Sequence, residues 1–156
     1  MVTLSFERGT AFVSEMLMAM ELTKDLAQLA RTITSGKATK WDDAHLRSEL
    51  GRLHGELEAL WAMTKRNVSE AQKNGMPGIG GNIFKLAYTD LIHRLGEVAM
   101  RVLDRASLSM EDIGDLPSGK HVYGRIHALA MTIAAGTTQI NKNIVAERVL
   151  GLPKDR

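Results

Sequence analysis

The chain has 156 residues, which is enough for one domain with a sizeable core. Its 20 lysines and arginines nearly balance its 18 aspartates and glutamates, and this formal charge of +2, without basic clusters beside aromatics, argues against a nucleic-acid partner. Charges interrupt every long apolar stretch and cysteine is absent, so we expect no membrane span, no disulfide or thiol chemistry, and a cytoplasmic location.

The first predicted helix runs from about Leu4 to Thr34 and ends at Gly36. Apolar residues recur along it every seven positions with leucines between them, which is typical of an amphipathic helix. These residues are Phe12, Ala19, Leu26 and Ile33, with Leu22 and Leu29 between them. The segment Met16–Met20 is rich in methionine, which we expect to fill an irregular core or a subunit interface.

The second predicted helix runs from Asp42 to about Lys73 and carries a row of leucines on one face. The row consists of Leu46, Leu50, Leu53, Leu57 and Leu60. Asp42 is the predicted N-cap, because Trp41 and Leu46 then occupy the two positions of a hydrophobic staple. The proline and glycines of Gly75–Gly81 predict a loop after this helix.

Three more helices are predicted after that loop. They run from about Asn82 to Arg105, from His121 to Ile133 and from Thr138 to Val149, and the first carries Phe84, Leu91, Leu95, Val98 and Val102. Ala106–Gly119 is the longest irregular stretch, and no strand is predicted anywhere. Long helices with one apolar stripe each predict an all-α, up-and-down four-helix bundle with a short extra C-terminal helix.

The C-terminal segment contains the strongest functional signal. Gly136 is predicted to end one helix, and the hydroxyl of Thr137 or Thr138 is predicted to cap the next. Apolar residues then recur at helical spacing, namely Ile140, Ile144, Val145 and Val149. A helix start with free N–H groups, neighbouring hydroxyls and no acidic residue can bind an anion, although plain capping explains most such starts.

This segment resembles the C-terminal signature of the FAD-dependent acyl-CoA dehydrogenases. The similar residues are Ala135-Gly-Thr-Thr-Gln-Ile140 and Ala146-Glu-Arg-Val-Leu-Gly-Leu-Pro153, which follow the family's order and spacing. Near the other end, Thr3-Leu-Ser-Phe-Glu-Arg-Gly-Thr10 is similar to the segment that opens the family's C-terminal helical domain. The resemblance implies that residues 1–156 are a single helical-bundle domain, the C-terminal domain of a larger acyl-CoA dehydrogenase.

Glu7 is the residue that the resemblance identifies as the catalytic base. By residue type alone it is an ordinary glutamate in a first helical turn. Most of the family places its catalytic glutamate immediately before the Gly-Thr of the signature, a position that Ala135 occupies here. One branch has Ala or Gly there and carries the base in a Leu-Glu-Arg segment, which Phe6-Glu7-Arg8 matches.

The resemblance also assigns residues to the acyl-CoA, the thioester and the flavin. They are Ser5, Phe6 and Arg8 for the acyl-CoA, Ala135 and Gly136 for the thioester, and Thr137, Thr138 and Gln139 for the FAD. The implied reaction is α,β-dehydrogenation of an acyl-CoA thioester, with an electron-transfer flavoprotein or similar acceptor as redox partner and a homo-oligomer as the assembly. Because other domains hold most of the flavin, we expect this chain alone to be inactive and to bind FAD weakly or not at all.

Two stretches depart from the family pattern. Its Arg-x-x-Phe-Gly motif, whose arginine contacts the FAD of a neighbouring subunit, is replaced here by Ala30–Gly36. Its later Gly-Gly-x-Gly motif is replaced by Asp112–Gly119. These substitutions affect the flavin contacts between subunits rather than the proposed base.

Two other classes of protein fit part of the sequence. Asp42-x-x-His45 and Asp90-x-x-His93 have the carboxylate–histidine spacing of a di-iron or di-manganese bundle, although Asp42 serves better as a cap. A non-enzymatic bundle for oligomerisation or interaction explains the periodicity equally well, but not the signature residues. The other histidines, which we expect at the surface, are His54, His121 and His127.

Overall fold

The computed structural model describes residues 13–75 and 80–154. Within them the chain forms five α-helices, which are α1 (Val13–Thr32), α2 (Ala44–Asn74), α3 (Gly80–Leu103), α4 (Ser118–Met131) and α5 (Thr138–Arg148). The first four form the bundle and α5 is the short extra helix, so the predicted all-α fold is confirmed. The predicted start of the first helix at Leu4 lies outside the described residues.

Helix α3 is the central element, since it packs against α1, α2, α4 and α5. Its position follows from its sequence, because apolar residues cover more than one face of this helix. The buried apolar residues of α3 are Phe84, Tyr88, Leu91, Leu95, Val98, Ala99, Val102 and Leu103. Both partner helices of the predicted site, α4 and α5, are therefore supported by the most deeply buried helix of the bundle.

The leucine row of α2 confirms the predicted core. All five leucines from Leu46 to Leu60 are buried, and Leu53 and Leu57 are fully so. From α1, Ala19 and Leu26 are buried in the same cluster, while Phe12 lies outside the described residues. A leucine every three or four positions faces one side of a helix, which is why the row enters the core as a unit.

The methionine-rich segment of α1 divides between core and surface. Met16 is fully buried in the main cluster, whereas Leu17 and Met18 are 52% and 71% exposed. Met16 therefore has the expected core role. Leu17 and Met18 are exposed and could contact another subunit.

The start of α2 differs from the prediction by one residue. Asp43 is the N-cap, and its carboxylate accepts hydrogen bonds from the N–H groups of His45 at 2.8 Å and Leu46 at 3.3 Å. Asp42 instead closes a short 3₁₀ turn by accepting from the N–H of Thr39 at 2.7 Å. The backbone bonds lower the pKa of both carboxyls. Asp43 therefore caps α2, whereas Asp42 belongs to the capping box of the preceding 3₁₀ turn, whose N-cap is Thr39.

The predicted hydrophobic staple is absent at the start of α2. With Asp43 as the cap, the two staple positions fall on Asp42 and Arg47, which are not apolar. Trp41 instead packs against the main core cluster and lies under the guanidinium of Arg31 at 3.7 Å from its ring centre. The tryptophan thus fastens the end of α1 to the start of α2.

A small hairpin between α1 and α2 shows that the expectation of no strand is wrong. Thr34–Ser35 (β1) pairs antiparallel with Ala38–Thr39 (β2). Gly36 makes the turn with φ +65°, a left-handed conformation that glycine adopts without steric cost. Strands of two residues show no alternation of apolar and polar positions, so no sequence pattern reveals them.

The other connections agree with the predicted loops only in part, since Gly80 and Gly81 of the predicted loop already belong to α3. Helix α2 ends at Gly75 in the left-handed conformation, and residues 76–79 of the predicted loop lie outside the described residues. The stretch predicted to be irregular, Ala106–Gly119, overlaps a 3₁₀ helix, Asp104–Leu108, and contains an isolated bridge between Ile113 and Leu116. Its last two residues, Ser118 and Gly119, already belong to α4. Among the helices that the structure describes, none has the length and apolar character needed to cross a bilayer.

Candidate functional site

The predicted site residues divide into a described and an undescribed group. Ser5, Phe6, Glu7 and Arg8 lie outside the described residues. The others form the turn between α4 and α5 and the first turn of α5, and they are Ala135, Gly136, Thr137, Thr138 and Gln139. Five consecutive residues assigned to the thioester and the flavin are therefore on one short segment.

The turn between α4 and α5 has an unusual backbone. Ala135 and Gly136 both have positive φ angles, +54° and +92°. The left-handed region costs an L-residue roughly 1–2 kcal/mol, so the alanine is held there by its surroundings. Glycine occupies the position with the larger angle, where a side chain is least tolerated. The preceding helix already ends at Met131, so Gly136 lies in the turn between α4 and α5 and does not itself end α4, which differs from the prediction.

Replacing Gly136 with alanine is expected to destabilise the chain by about 1–2 kcal/mol, because φ +92° is unfavourable for any residue with a Cβ. Urea unfolding of the purified chain measures this change. Gly51→Ala in α2 is the matched control, since a Cβ there would meet nothing within 4 Å. The control is expected to be neutral or to stabilise by up to about 1 kcal/mol. Equal losses in both variants would contradict the strained turn.

Thr137 is the N-cap of α5. Its Oγ1 accepts a hydrogen bond from the N–H of Ile140 at 3.3 Å, which selects Thr137 over Thr138 as the capping residue. The N–H groups of Thr138 and Gln139 belong to the first turn, where a helix supplies no backbone acceptor. Gln139 is exposed and Thr138 is half-buried, and the first turn of α5 contains no acidic residue. This set of donors fits the acceptor atoms of a flavin or a phosphate group.

Asn141 holds the turn from the α5 side and was not among the predicted site residues. Its side chain is fully buried, and its Nδ2 donates to the carbonyl oxygens of Gly136 at 2.8 Å and Thr137 at 3.0 Å. Its Oδ1 has no hydrogen-bond partner in the described part of the chain. An asparagine near a helix start is common in sequences, so only the burial identifies its role.

The two stretches that replace the family motifs meet at one cleft between α1 and α4. The cleft has a volume of about 270 Å³, and its lining residues are Asp25, Gln28, Leu29, Thr32, Pro117, Lys120 and His121. Thr32 comes from the first stretch and Pro117 from the second. Lys120 and Asp25 form an ion pair at 2.7 Å that joins α4 to α1. Both departures from the family pattern thus alter the same part of the surface.

His121 corrects the expectation that the remaining histidines lie at the surface. It is only 3% exposed, because the start of α4 folds against α1. Burial, followed by the charge of Lys120, lowers the pKa of His121, so the ring is neutral near pH 7. His54 and His127 are exposed, as expected, and His127 stacks on Tyr123.

The carboxylates of the alternative metal site have other partners. Asp90 accepts a hydrogen bond from Arg94 at 2.9 Å, and Asp42 accepts from Thr39. His93 lies 3.3 Å from the guanidinium of Arg125. Within residues 13–75 and 80–154, no three histidine, aspartate or glutamate side chains converge as metal ligands would.

Comparison with known proteins identifies the family of this chain. The family model for the acyl-CoA dehydrogenase C-terminal domain matches residues 1–150. Acyl-CoA dehydrogenase IpdE1 of Mycobacterium tuberculosis is 31% identical over 157 aligned positions, which include 99% of this chain. The chain spans only 38% of the length of that relative.

Solved structures share the fold. An FAD-dependent dehydrogenase superposes on 96% of the chain with a TM-score of 0.82 and 18% identity, and 38% of its own length is covered. The ChsE4–ChsE5 complex from Mycobacterium tuberculosis superposes on 88% of the chain with a TM-score of 0.74 and 22% identity, and 36% of that chain is covered. Because the family model covers almost the whole chain, the protein belongs to the acyl-CoA dehydrogenase family and corresponds to its C-terminal domain.

Proposed function

We propose that this chain is the C-terminal domain of an FAD-dependent enzyme that dehydrogenates an acyl-CoA thioester between its α and β carbons. The observation that carries the proposal is the Ala135–Gly136 turn, which leads directly into the capped start of α5. A structure similar to this fold is an FAD-dependent dehydrogenase, and a relative at 31% identity is an acyl-CoA dehydrogenase. Family, fold and local geometry therefore support the same reaction class.

Glu7 is the proposed base of this reaction. Ala135 cannot accept a proton, so the position that serves most of the family is chemically silent here. The carboxylate of Glu7 removes the α proton of the substrate. A bound flavin would supply the acceptor for the hydride of the β carbon.

The other site residues bind and orient in this proposal. Ser5, Phe6 and Arg8 contact the acyl-CoA. The small residues Ala135 and Gly136 leave room for the thioester beside the turn. The donors of the α5 start, from Thr137 to Gln139, hold acceptor atoms of the flavin, for which the free N–H groups of a first helical turn are suited.

The proposal predicts that flavin binding depends on the rest of the enzyme. The complete protein should purify with FAD and reduce it when acyl-CoA is added under anaerobic conditions. The 156-residue chain alone should bind FAD at least about tenfold more weakly and show no dehydrogenation, because it offers only one wall of a cofactor site. Absorbance at the flavin bands and single-turnover reduction measure both. A complete protein without flavin would contradict the proposed function.

Self-association of the chain is a further expectation. Large apolar side chains are exposed on α1 and α4, including Leu17, Met18, Ile126 and Leu129. Exposed apolar surface of this kind marks contacts with other domains or subunits. Light scattering should therefore detect dimers or larger species at high protein concentration. A lysine at Ile126 should reduce the association, whereas a lysine at the exposed polar position Ser48 should not.

We propose that the redox partner of the complete enzyme is an electron-transfer flavoprotein or a similar acceptor. Its proposed location is the cytoplasm. The interaction-module alternative predicts self-association but no flavin in the complete protein. Flavin content thus separates the two functions, and oligomeric state alone does not.

A further inference from the structure

Lys85 is the most unusual buried residue of the bundle. It is only 1% exposed, and it is the largest of the fully buried side chains. Lysine is almost never buried to this extent without a specific partner, because taking an ammonium group out of water costs free energy. The burial of Lys85 therefore requires hydrogen bonds that offset this cost.

The ammonium of Lys85 connects α3 to the end of α4. Its Nζ donates to the hydroxyl of Thr89 at 2.9 Å and to the carbonyl oxygen of Met131, the last residue of α4. The carbonyls of Leu129 and Ala130 accept from backbone N–H groups of the following turn. Lys85 thus supplies a donor from another helix at the point where α4 ends, and a cation is favourable at a helix C-terminus.

The turn that contains the two positive φ angles follows this contact along the chain. Ala135 and Gly136 follow Met131 by four and five residues, and Asn141 binds the carbonyl of Gly136 from the other side. Buried polar side chains of α3 and α5 therefore hold both ends of the strained turn. Such conformations persist only where the surroundings fix them.

We infer that Lys85 is a positioning residue, whose ammonium fixes the end of α4 and thereby holds the Ala135–Gly136 turn in the conformation that the site uses. The inference rests on the proposed function for the site itself. In this role Lys85 acts through the backbone of Met131. Replacing Lys85 by an apolar side chain removes the cost of burying the ammonium, but it leaves the carbonyl of Met131 and the hydroxyl of Thr89 without this donor, so some loss of stability is expected in either case. A purely stabilising role predicts faster exchange throughout the bundle, whereas positioning predicts faster exchange in the turn while α2 remains protected.

The test compares Lys85→Met with Lys24→Met, which removes an exposed lysine of α1. In the full 156-residue chain, hydrogen exchange of residues 132–141 should accelerate at least about tenfold in Lys85→Met, while α2 remains protected. Thermal unfolding should shift to lower temperature by up to about 10 °C, because two buried acceptors lose their donor. The Lys24 control should change neither property. Unchanged exchange in the turn would overturn the inference, whatever the fate of the proposed function.

The second readout uses the complete enzyme with bound flavin. Lys85→Met should lower kcat about tenfold or more and leave the KM for acyl-CoA nearly unchanged, because the substrate is bound but misaligned. Faster exchange with an unchanged kcat would also overturn the inference. A wild-type enzyme without flavin or activity would contradict only the proposed function, since the exchange experiment then still decides whether Lys85 fixes the turn.

A second variant applies if Lys85→Met does not fold. Thr89→Val keeps the shape of the side chain and removes one acceptor of the same ammonium. It should accelerate exchange in the turn by a smaller factor, about two- to fivefold, with α2 unaffected. A turn as protected as in the wild type would count against Lys85 as its support.

Discussion

Glu7→Gln in the complete enzyme is expected to slow flavin reduction by acyl-CoA by about two to four orders of magnitude. Glutamine keeps the shape and hydrogen-bonding capacity of the side chain but cannot accept the α proton. Acyl-CoA affinity should survive, because most contacts to the substrate lie in other parts of the site. Anaerobic stopped-flow measurement of the flavin absorbance gives the rate of this step directly.

A matched control separates loss of the base from a general change in charge. Glu21→Gln removes a carboxylate from the exposed side of α1, where its partner is Lys24 at 3.5 Å. This variant should reduce flavin at the wild-type rate. If Glu7→Gln does the same, Glu7 is not the base and another residue removes the α proton.

The helices and their apolar faces could be predicted because the signal is repeated. Five leucines on α2 share one spacing, and all five are buried. The same reasoning identifies apolar residues at helical spacing on α5, but it does not predict whether they are buried. Ile140 and Val149 are 50% and 45% exposed, so helical spacing on α5 does not correspond to burial within the described residues.

The prediction of the helix cap was wrong where two adjacent residues have the same chemistry. Asp42 and Asp43 can both cap a helix, and the 3₁₀ turn before α2 decides which of them does so. That turn follows from the small hairpin around Gly36, which is too short to leave a pattern in the sequence. The error of one residue is therefore a consequence of undetected tertiary structure.

The candidate site was only partly predictable for the same reason. The chemistry of glycine and threonine predicted a turn at Gly136 and a cap at Thr137 or Thr138, because both depend on neighbours in sequence. Lys85 and Asn141 have polar side chains that most proteins leave in water, and only contacts between distant segments bury them. His121 is buried by the same kind of contact, between α4 and α1.

Ala135→Glu in the Glu7→Gln enzyme is expected to restore flavin reduction at least about tenfold above the single variant. Most of the family carries its base at this position, and the resemblance implies that both positions serve the same α carbon. Ala135 already has φ +54°, so a glutamate there faces the same backbone conformation that a residue with a Cβ now adopts. The additional strain of the longer side chain should therefore be small.

Two further variants in the Glu7→Gln background distinguish a new base from a new shape. Ala135→Gln has the size of the glutamate but no proton acceptor, so it should restore nothing. Ala134→Glu places the same carboxylate on the preceding residue, which is exposed on the outside of the turn, and it should also stay inactive. Recovery with Ala134→Glu would mean that any nearby carboxylate suffices. Failure of Ala135→Glu in an enzyme that still binds flavin would mean that the turn does not face the α carbon, because a carboxylate within reach of the α proton should remove it.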